Sequence, residues 1–265
     1  MIDTHAHLHL PDFDADRERV LARDFAMGVT GIVEVCIAPQ RWPQVERLAT
    51  ADPRVVATAG IHPHEAARAT PADLAALEPR LAQPFVVAVG ETGIDTYRDC
   101  APLAAQRSLF AAQVALARGS GLPLVVHCRA AFDEVFAILD RAGRAGVRGV
   151  FHCFSGGAAE AREVIARGFR IGLGGAVTYA PDRWRPLLRE VPLAAVLLET
   201  DCPYLKPAPD RGGRCEPAHV LRTAEVVAAL MDIPTGELIR SADRNAEELF
   251  GVCFPARSGA GEATA

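Results

Sequence analysis

The sequence predicts an α/β protein that folds as a single-domain (β/α)8 barrel, or TIM barrel, and two observations support this prediction. The chain has 265 residues, a length that fits one large α/β barrel or two small domains. Short apolar runs, often β-branched, alternate with Ala-, Leu- and Arg-rich stretches of helical period. Eight such alternations in a chain of this length are typical of a closed barrel.

An open, doubly wound sheet is the alternative architecture. Such a sheet is expected to carry a Gly-rich phosphate-binding turn after its first strand. Here the first apolar run ends in His5 and His7 instead. The closed barrel is therefore favoured.

The apolar runs define the predicted strands, and several lack polar alternation, which suits parallel strands buried on both faces. These runs are residues 1–3, 31–37, 55–60, 85–89, 124–126, 149–151, 170–173 and 195–198. The helices predicted from apolar side chains at helical spacing span residues 14–27, 103–118, 131–143 and 158–167. Pro71 and Pro217 stand where a helix can begin, because proline is tolerated in the first turn.

Composition indicates the domain organisation and excludes some classes of function. With 50% hydrophobic and 23% charged residues the chain is globular, except for a small, polar C-terminal end. We predict one barrel domain at 1–254 and a disordered tail at 255–265. A net charge of −5 excludes a strongly basic nucleic-acid coat, although not a local cationic pocket.

The cysteines and the N-terminal sequence indicate where in the cell the protein is located. Seven scattered cysteines without a CxxC pair, and a start without basic or apolar leader regions, favour a reducing cytoplasm over export. No stretch reaches the ~18 to 20 apolar residues that a membrane span needs. We expect a cytoplasmic protein with no membrane association and no obligate protein partner.

Histidines and acids stand at the ends of the predicted strands. The carboxyl ends of parallel barrel strands share one mouth, where barrel enzymes place their chemistry. Clustered imidazoles and carboxylates are costly to bury unless divalent cations neutralise the acids and accept the nitrogen lone pairs. Zinc, manganese, iron, nickel and magnesium are all compatible with such ligands. The candidate ligands are His5, His7, Glu91, His127, His152 and Asp201.

The spacing and number of these ligands indicate two cations. One residue separates His5 from His7, so in an extended segment both side chains point the same way. Six ligands exceed the three or four that one catalytic zinc takes, and two metals bridged by a carboxylate fit the number better. The predicted assignment is His5, His7 and Asp201 on one cation, His127 and His152 on the other, and Glu91 between them.

Six motifs, in this order, resemble those of the TatD family of metal-dependent deoxyribonucleases, a branch of the amidohydrolase-like barrels. The motifs are IDTHAH at 2–7, GIHPH at 60–64, GETGID at 90–95, HCR at 127–129, HCFSG at 152–156 and ETDCPYL at 199–205. The resemblance covers residues 1–254 and includes Arg214, Glu216, Pro217 and residues 245–251. It implies a (β/α)8 fold, two divalent metals on the six candidate ligands, and hydrolysis of DNA phosphodiester bonds, often as a 3′ exonuclease.

Three positions depart from the family pattern. Ala130 follows Arg129 where the family usually has an acidic residue, and Cys215 stands where it often has asparagine. Residues 96–98 read Thr-Tyr-Arg, where the family usually has two aromatic residues. These positions are expected to line the substrate cleft, so they bear on the substrate and leave the metal site intact.

A pair of metals suggests a mechanism in which a bridging water loses its proton near neutral pH and becomes the nucleophile. Asp201 is the residue predicted to orient this water and to take its proton. Glu91, between the metals, is the second predicted catalytic residue. The cofactor is therefore two divalent ions, with magnesium, manganese and zinc all open, and the substrate is DNA or another phosphodiester.

Further residues are predicted to support the substrate and the ligands. Arg129, His62 and Arg214 are expected to donate hydrogen bonds to non-bridging phosphate oxygens. Ser155 is assigned to a backbone-lined anion cradle. Glu199, two residues before Asp201, is predicted to hold a ligand histidine or a substrate lysine.

Two other functions remain open. The same metals could attack a carbonyl, which would make the protein a metal-dependent amide, ester or lactone hydrolase of a small molecule. Such barrels commonly use a carboxylated lysine as the bridging ligand, and no lysine ends a central strand here. The third alternative is a non-catalytic, metal-stabilised binding scaffold. A basic stripe with interleaved aromatics is absent from the sequence, which argues against long-duplex binding and sequence readout.

Overall fold

The computed structural model describes residues 1–143 and 146–255, and at its centre is one sheet of eight parallel strands. Each strand pairs with the next in chain order. The strands are β1 (Ile2–Ala6), β2 (Gly31–Glu34), β3 (Val55–Ala59), β4 (Val86–Asp95), β5 (Leu124–Arg129), β6 (Gly149–Phe151), β7 (Phe169–Leu173) and β8 (Val196–Leu198). The predicted (β/α)8 barrel is confirmed.

The barrel closes where the segment after β8 meets the end of β1. Ala6 and Cys202 form a parallel bridge there. The backbone N–H of Asp201 donates to the carbonyl oxygen of His5 at 2.9 Å, and that of His7 donates to the carbonyl oxygen of Cys202 at 2.9 Å. The hydrogen bonds that close the barrel therefore hold three candidate ligands side by side.

Helices connect the strands on the outside of the barrel. They are α1 (Arg17–Met27), α2 (Trp42–Ala51), α3 (Pro71–Ala75), α4 (Leu77–Leu81), α5 (Leu103–Ser120), α6 (Phe132–Ala142), α7 (Ala158–Ala166), α8 (Pro181–Leu188), α9 (Val220–Leu230) and α10 (Thr235–Phe250). The helices predicted from apolar spacing correspond to α1, α5, α6 and α7. Pro71 begins α3, and Pro217 begins a 3₁₀ turn that leads into α9.

Three strands run further than the apolar pattern predicts, and the extensions carry polar side chains of the mouth. β1 includes His5, β5 includes His127, and β4 continues to Asp95. The prediction ended β4 at residue 89 because glycines and charged residues follow. In the structure Gly93 has a φ of +145°, and a Cβ there would lie 1.9 Å from the carbonyl oxygen of His127. Glycine therefore lets β4 and β5 stay paired up to the mouth.

The barrel interior is apolar at the amino-terminal ends of the strands. Val125, Val150 and Leu197 form one buried cluster with Leu249 and Phe250 of α10, which covers this end of the barrel. Strand side chains alternate between faces, so the next inward position on each strand comes two residues later. Those positions are polar, namely His127, His152 and Glu199.

The end of the chain follows α10 closely. Phe254 packs into the same buried cluster as Phe250. The tail predicted at 255–265 lies outside the described residues, apart from Pro255. Across the described ranges, no helix combines the length and the apolar character that crossing a membrane requires.

Candidate metal centre

The six candidate ligands converge at the mouth of the barrel, each positioned by the end of a strand. Three lie inside β1, β4 and β5, and three follow β1, β6 and β8 within three residues. Nitrogen and oxygen atoms of different members approach to between 2.8 and 3.7 Å. In chain order they are His5, His7, Glu91, His127, His152 and Asp201.

Glu91 stands between two groups of ligands, and each of its oxygens faces one group. Oε2 lies 3.3 Å from Nε2 of His5 and 3.7 Å from Nε2 of His7. Oε1 lies 2.8 Å from Nδ1 of His127 and 2.8 Å from Nε2 of His152. A carboxylate with this orientation is suited to bridge two cations.

The first donor group consists of His5, His7 and Asp201. The Nε2 atoms of His5 and His7 lie 3.1 Å apart, and Oδ1 of Asp201 lies 3.4 Å from Nε2 of His7. The Nδ1 atom of His7 lies 2.7 Å from the carbonyl oxygen of Val35. Since a carbonyl only accepts, Nδ1 carries a proton, and in the neutral form of His7 the Nε2 lone pair would face the group.

The second donor group consists of His127 and His152. Nδ1 of His127 lies 3.2 Å from Nε2 of His152. On the other side of its ring, Nε2 of His127 donates to Oδ2 of Asp95 at 3.2 Å. The carboxylate thereby fixes the ring orientation and leaves Nδ1 directed at Glu91, an arrangement typical of metal-binding histidines.

Sequence analysis assigned Asp95 no role, although it lies in the same motif as Glu91, four residues later. Its carboxylate is buried, accepts from His127 and also lies 2.8 Å from Nε2 of His64. The even spacing from Glu91 was the available signal, because it places both acids on one face of an extended strand. Because β4 was predicted to end at residue 89, Glu91 and Asp95 were not recognised as parts of the same strand.

Both central carboxylates are ionised. Burial would raise the pKa of Glu91, but the charge of His152 and hydrogen bonds from His127 and His152 hold it well below its usual range. Burial likewise opposes ionisation of Asp201, yet its hydrogen bond with His7 and the nearby histidine charges lower its pKa. The mouth therefore carries buried negative charge.

The histidines differ in the interactions that oppose the effect of burial on their pKa values. Burial and the charge of His152 lower the pKa of His5 to about 3, so His5 is neutral and able to donate a lone pair. Burial also disfavours charged His7 and His127, but hydrogen bonds to Asp201 in one case and to Asp95 and Glu91 in the other raise each pKa to about 9. A metal ion would displace these protons, as in other histidine sites.

His5 faces the other ligands with its Nε2 atom, which lies 3.3 Å from Oε2 of Glu91. Its Nδ1 atom is buried and has no hydrogen-bond partner within the described ranges. Buried nitrogen and ionised carboxylate oxygen atoms, with two imidazoles fixed by Val35 and Asp95, form a mixed N/O donor set. This chemistry fits divalent metal ions.

His62 approaches the second donor group as a hydrogen-bond donor. Its Nδ1 accepts from the backbone N–H of His64 at 3.1 Å, so the proton of the neutral ring is on Nε2. Burial, only partly offset by Glu91, lowers the pKa of His62 to about 4 and keeps the ring neutral. Nε2 lies 3.3 Å from Oε1 of Glu91. An N–H at this position faces the mouth and is not a metal ligand.

Glu199 lies beneath His152. Its Oε1 accepts the backbone N–H of Cys153 and lies 3.9 Å from Nδ1 of His152. Burial raises the pKa of Glu199 to about 7, although the charge of His152 opposes this shift. Gly172 leaves room for the carboxylate, since a Cβ there would lie 2.3 Å from Oε2. Nδ1 of His152 has no hydrogen-bond partner among the described residues, so the support of a ligand histidine by Glu199 stays a prediction.

Of the three other residues predicted to contact substrate, one lines the cavity above the donor groups and two do not. Arg129 lines the cavity, whereas Ser155 and Arg214 are not among the described residues that line it. Arg214 pairs with Asp16 and Glu216, both at 2.8 Å, and its guanidinium covers the ring of Phe13. Its charge is satisfied there, so the expected phosphate contact of Arg214 is corrected to a structural link between α1 and residues 214–216.

A cavity of about 810 Å³ opens over the donor groups. Its floor includes Glu91, His127, His152 and Asp201. Its rim is formed by loops that follow several strands. The rim side chains include Tyr97, Arg98, Arg129, Tyr179, Tyr204, Lys206 and Arg211.

A parallel barrel whose mouth gathers histidines around a central glutamate defines a class, the metal-dependent barrel hydrolases. A family model described as TatD related DNase matches residues 2–251. The chain belongs to this family, which confirms the resemblance and the predicted class of enzyme.

Relatives match over nearly their whole length. The uncharacterized metal-dependent hydrolase YabD of Bacillus subtilis is 36% identical, covering 95% of this chain and 99% of the relative. The 3′-5′ ssDNA/RNA exonuclease TatD of Escherichia fergusonii is 32% identical, covering 96% and 100%. The crystal structure of YJJV, a TatD homolog from Escherichia coli, has a TM-score of 0.89 at 31% identity, covering 96% and 98%.

Proposed function

We propose that the protein hydrolyses phosphodiester bonds of DNA with a pair of divalent cations, and that it removes nucleotides from the 3′ end of single strands. The observation that supports this most is Glu91, whose two oxygens face separate donor groups. Relatives with the name 3′-5′ ssDNA/RNA exonuclease support the substrate and the polarity.

The proposed ligand sets follow the two donor groups. His5, His7 and Asp201 hold one cation, His127 and His152 hold the other, and Glu91 is shared. Magnesium, manganese and zinc all accept mixed imidazole and carboxylate ligands. When bound, two divalent cations activate water and neutralise the charge that develops on the phosphate.

The side chains of this protein would perform the remaining steps. The ionised carboxylate of Asp201 orients the attacking water and accepts its proton. The Nε2–H of His62 and the guanidinium of Arg129 donate to non-bridging phosphate oxygens, where the planar fork of arginine matches phosphate geometry. Arg214 has no part in this proposal, because Asp16 and Glu216 already satisfy its charge.

Hydrolysis of an amide, ester or lactone is the second candidate function. It would be favoured by a carboxylated lysine at the bridging position. Lys206 is the only lysine in the chain, and it lies on the rim, where its Nζ is 2.6 Å from Asp210. Glu91 lies between the two donor groups instead, which supports the phosphodiester substrate.

We also propose a reducing, cytoplasmic location. All seven cysteines are free thiols. Burial raises the pKa of Cys36 and Cys202, so these thiols are protonated and unreactive. Thiols that persist without pairing suit a compartment that keeps cysteine reduced.

The test is an assay of the purified protein on end-labelled single and double strands with magnesium, manganese or zinc. A chromogenic phosphodiester and a panel of amides and esters are assayed in parallel. We expect stepwise shortening of single strands from the 3′ end and turnover of the chromogenic phosphodiester. His127→Ala, prepared identically, should lose metal and turnover, which excludes a contaminating nuclease. Turnover of amides or esters alone would overturn the proposal, and so would turnover of nothing.

A further inference from the structure

Two water-exposed aromatic side chains stand on the rim of the cavity. Tyr97 is 68% exposed and Tyr204 is 53% exposed. Within the described ranges, the one other large apolar side chain that is comparably exposed is Met27, which ends α1. Exposed aromatic groups beside a functional cleft indicate a contact surface.

Arginines accompany the aromatic rings. The guanidinium of Arg129 lies 5.0 Å from the ring centroid of Tyr97, and that of Arg211 lies 3.7 Å from the ring centroid of Tyr179. Neither arginine forms a salt bridge in the described part of the chain, and the neighbouring Arg98 forms none there either. We call these side chains the aromatic rim: Tyr97, Arg98, Arg129, Tyr179, Tyr204 and Arg211.

The backbone beneath Tyr97 is fixed to the candidate metal centre. Oδ1 of Asp95 accepts the backbone N–H groups of Tyr97 and Arg98, both at 2.9 Å. The hydroxyl of Thr96 donates to the carbonyl oxygen of Ala130 at 2.6 Å. The Asp95 carboxylate that orients His127 therefore also holds the backbone of Tyr97 next to the candidate metal centre.

Tyr204 is fixed in a similar way on the other side of the mouth. Its backbone N–H donates to the carbonyl oxygen of Asp201 at 2.9 Å. Its ring meets the ring of His7 edge-on, with centroids 6.4 Å apart. Tyr97 follows β4 and Tyr204 follows β8, which lie on opposite sides of an eight-stranded barrel. The two rings therefore flank the entrance to the cavity.

We propose that the aromatic rim is a base-stacking subsite for single-stranded nucleic acid, an inference that rests on the proposed function. Bases stack on Tyr97 and Tyr204, while Arg98, Arg129 and Arg211 contact phosphates of the same strand. Every base has a π-face, so such stacking tolerates any sequence. In a duplex the faces are covered by neighbouring base pairs, so the rim selects single strands. Although the chain has a net charge of −5, the arginines of the aromatic rim provide local positive charge for contacts with phosphates.

The experiment measures binding of a fluorescent oligothymidylate with uncleavable phosphorothioate linkages to the metal-loaded protein. Tyr97→Ala and Tyr204→Ala should each raise Kd on the order of 10-fold, the scale of one stacked base. Tyr97→Phe and Tyr204→Phe keep the ring and should bind almost as the wild type does. Met27→Ala removes an equally exposed side chain far from the rim and should leave Kd unchanged.

A strand of equal length built from abasic spacers separates stacking from phosphate contacts. The wild type should bind it more weakly than oligothymidylate, and the two alanine variants should show little further loss. Wild-type Kd in both alanine variants would overturn the inference, as would equal wild-type affinity for the abasic strand. A protein that shortens single strands from the 3′ end but binds oligothymidylate no more tightly than the abasic strand would overturn the inference alone. A protein that cleaves no phosphodiester would overturn the proposed function.

Discussion

Val125 and His127 stand two residues apart on β5, yet they belong to opposite ends of the barrel interior. Val125 packs with Leu249 and Phe250 under the cover of α10, whereas His127 faces the cavity and Glu91. The apolar end gains stability from burial. The polar end holds buried charge, which costs stability unless something compensates it. Substitutions at the two ends should therefore have separable effects.

The largest effect is expected at the polar end, from Glu91→Gln. The variant removes the negative charge shared by both donor groups and should lower phosphodiester turnover by at least ~10³-fold. Metal content per chain should fall as well. The circular dichroism spectrum should stay that of the wild type, since no apolar packing is lost. Wild-type turnover together with full metal content would show that Glu91 does not bridge cations.

Phe250→Ala is the matched change at the apolar end. Phe250 is buried in the cluster that α10 closes, so the variant should lose ~3–5 kcal/mol of unfolding free energy. Urea denaturation gives the loss. Metal content and turnover, measured where the variant is still folded, should match the wild type. A loss of metal in the folded variant would contradict the separation of the two ends.

Asp24 provides a second comparison, because it is a buried carboxylate without a histidine cluster. Burial and the neighbouring Glu216 raise the pKa of Asp24 to about 7, and Arg23 and Arg214 offset only part of this. Glu91 is held ionised instead. The folded protein thus keeps the Asp24 proton after the unfolded chain has lost it, so this group lowers stability as pH rises from about 4 to about 7.

Asp24→Asn should remove that pH dependence. Relative to the wild type, its unfolding free energy should rise by on the order of 3 kcal/mol between pH 4 and pH 8. Denaturation curves of both proteins at several pH values provide the measurement. A constant difference across this range would mean that Asp24 does not titrate with a raised pKa.

A smaller effect at the mouth is expected from Asp95→Asn. The amide is a weaker acceptor for the Nε2–H of His127 and should lower metal affinity by about 10- to 100-fold. Titration with Mn²⁺ followed by calorimetry measures this loss. His64→Ala removes the other side chain bonded to Asp95 and leaves His127 in place, so its metal affinity should change less. Equal losses of metal affinity in both variants would mean that Asp95 acts through its contact with His64 and not by orienting His127.

The apolar and polar ends of the barrel interior also differ in how well the sequence predicts them. The candidate ligands were predicted because each stands at or near the end of an apolar run, and strand direction then places them at one mouth. Asp95 was missed because β4 continues past two glycines that an apolar pattern reads as an end. Gly93 is required there by the close approach of β5, a tertiary constraint that no local pattern contains.

The rim is predicted least well, because its parts come from separate loops. Tyr97, Tyr179 and Tyr204 follow β4, β7 and β8, so no stretch of sequence shows cations interleaved with aromatics. The same lack of loop information placed Arg214 at the substrate, whereas the chain path brings it to Asp16, the residue that precedes α1. Most strands are recognisable from local sequence, whereas loop paths depend on the whole packed structure.

Anomalous diffraction from crystals of the protein grown with Mn²⁺ tests the central claim most directly. Two peaks per chain are predicted, one beside His5, His7 and Asp201 and the other beside His127 and His152. The oxygens of Glu91 should be divided between the two peaks. One peak alone, or peaks from which Glu91 points away, would contradict a pair of cations bridged by this carboxylate.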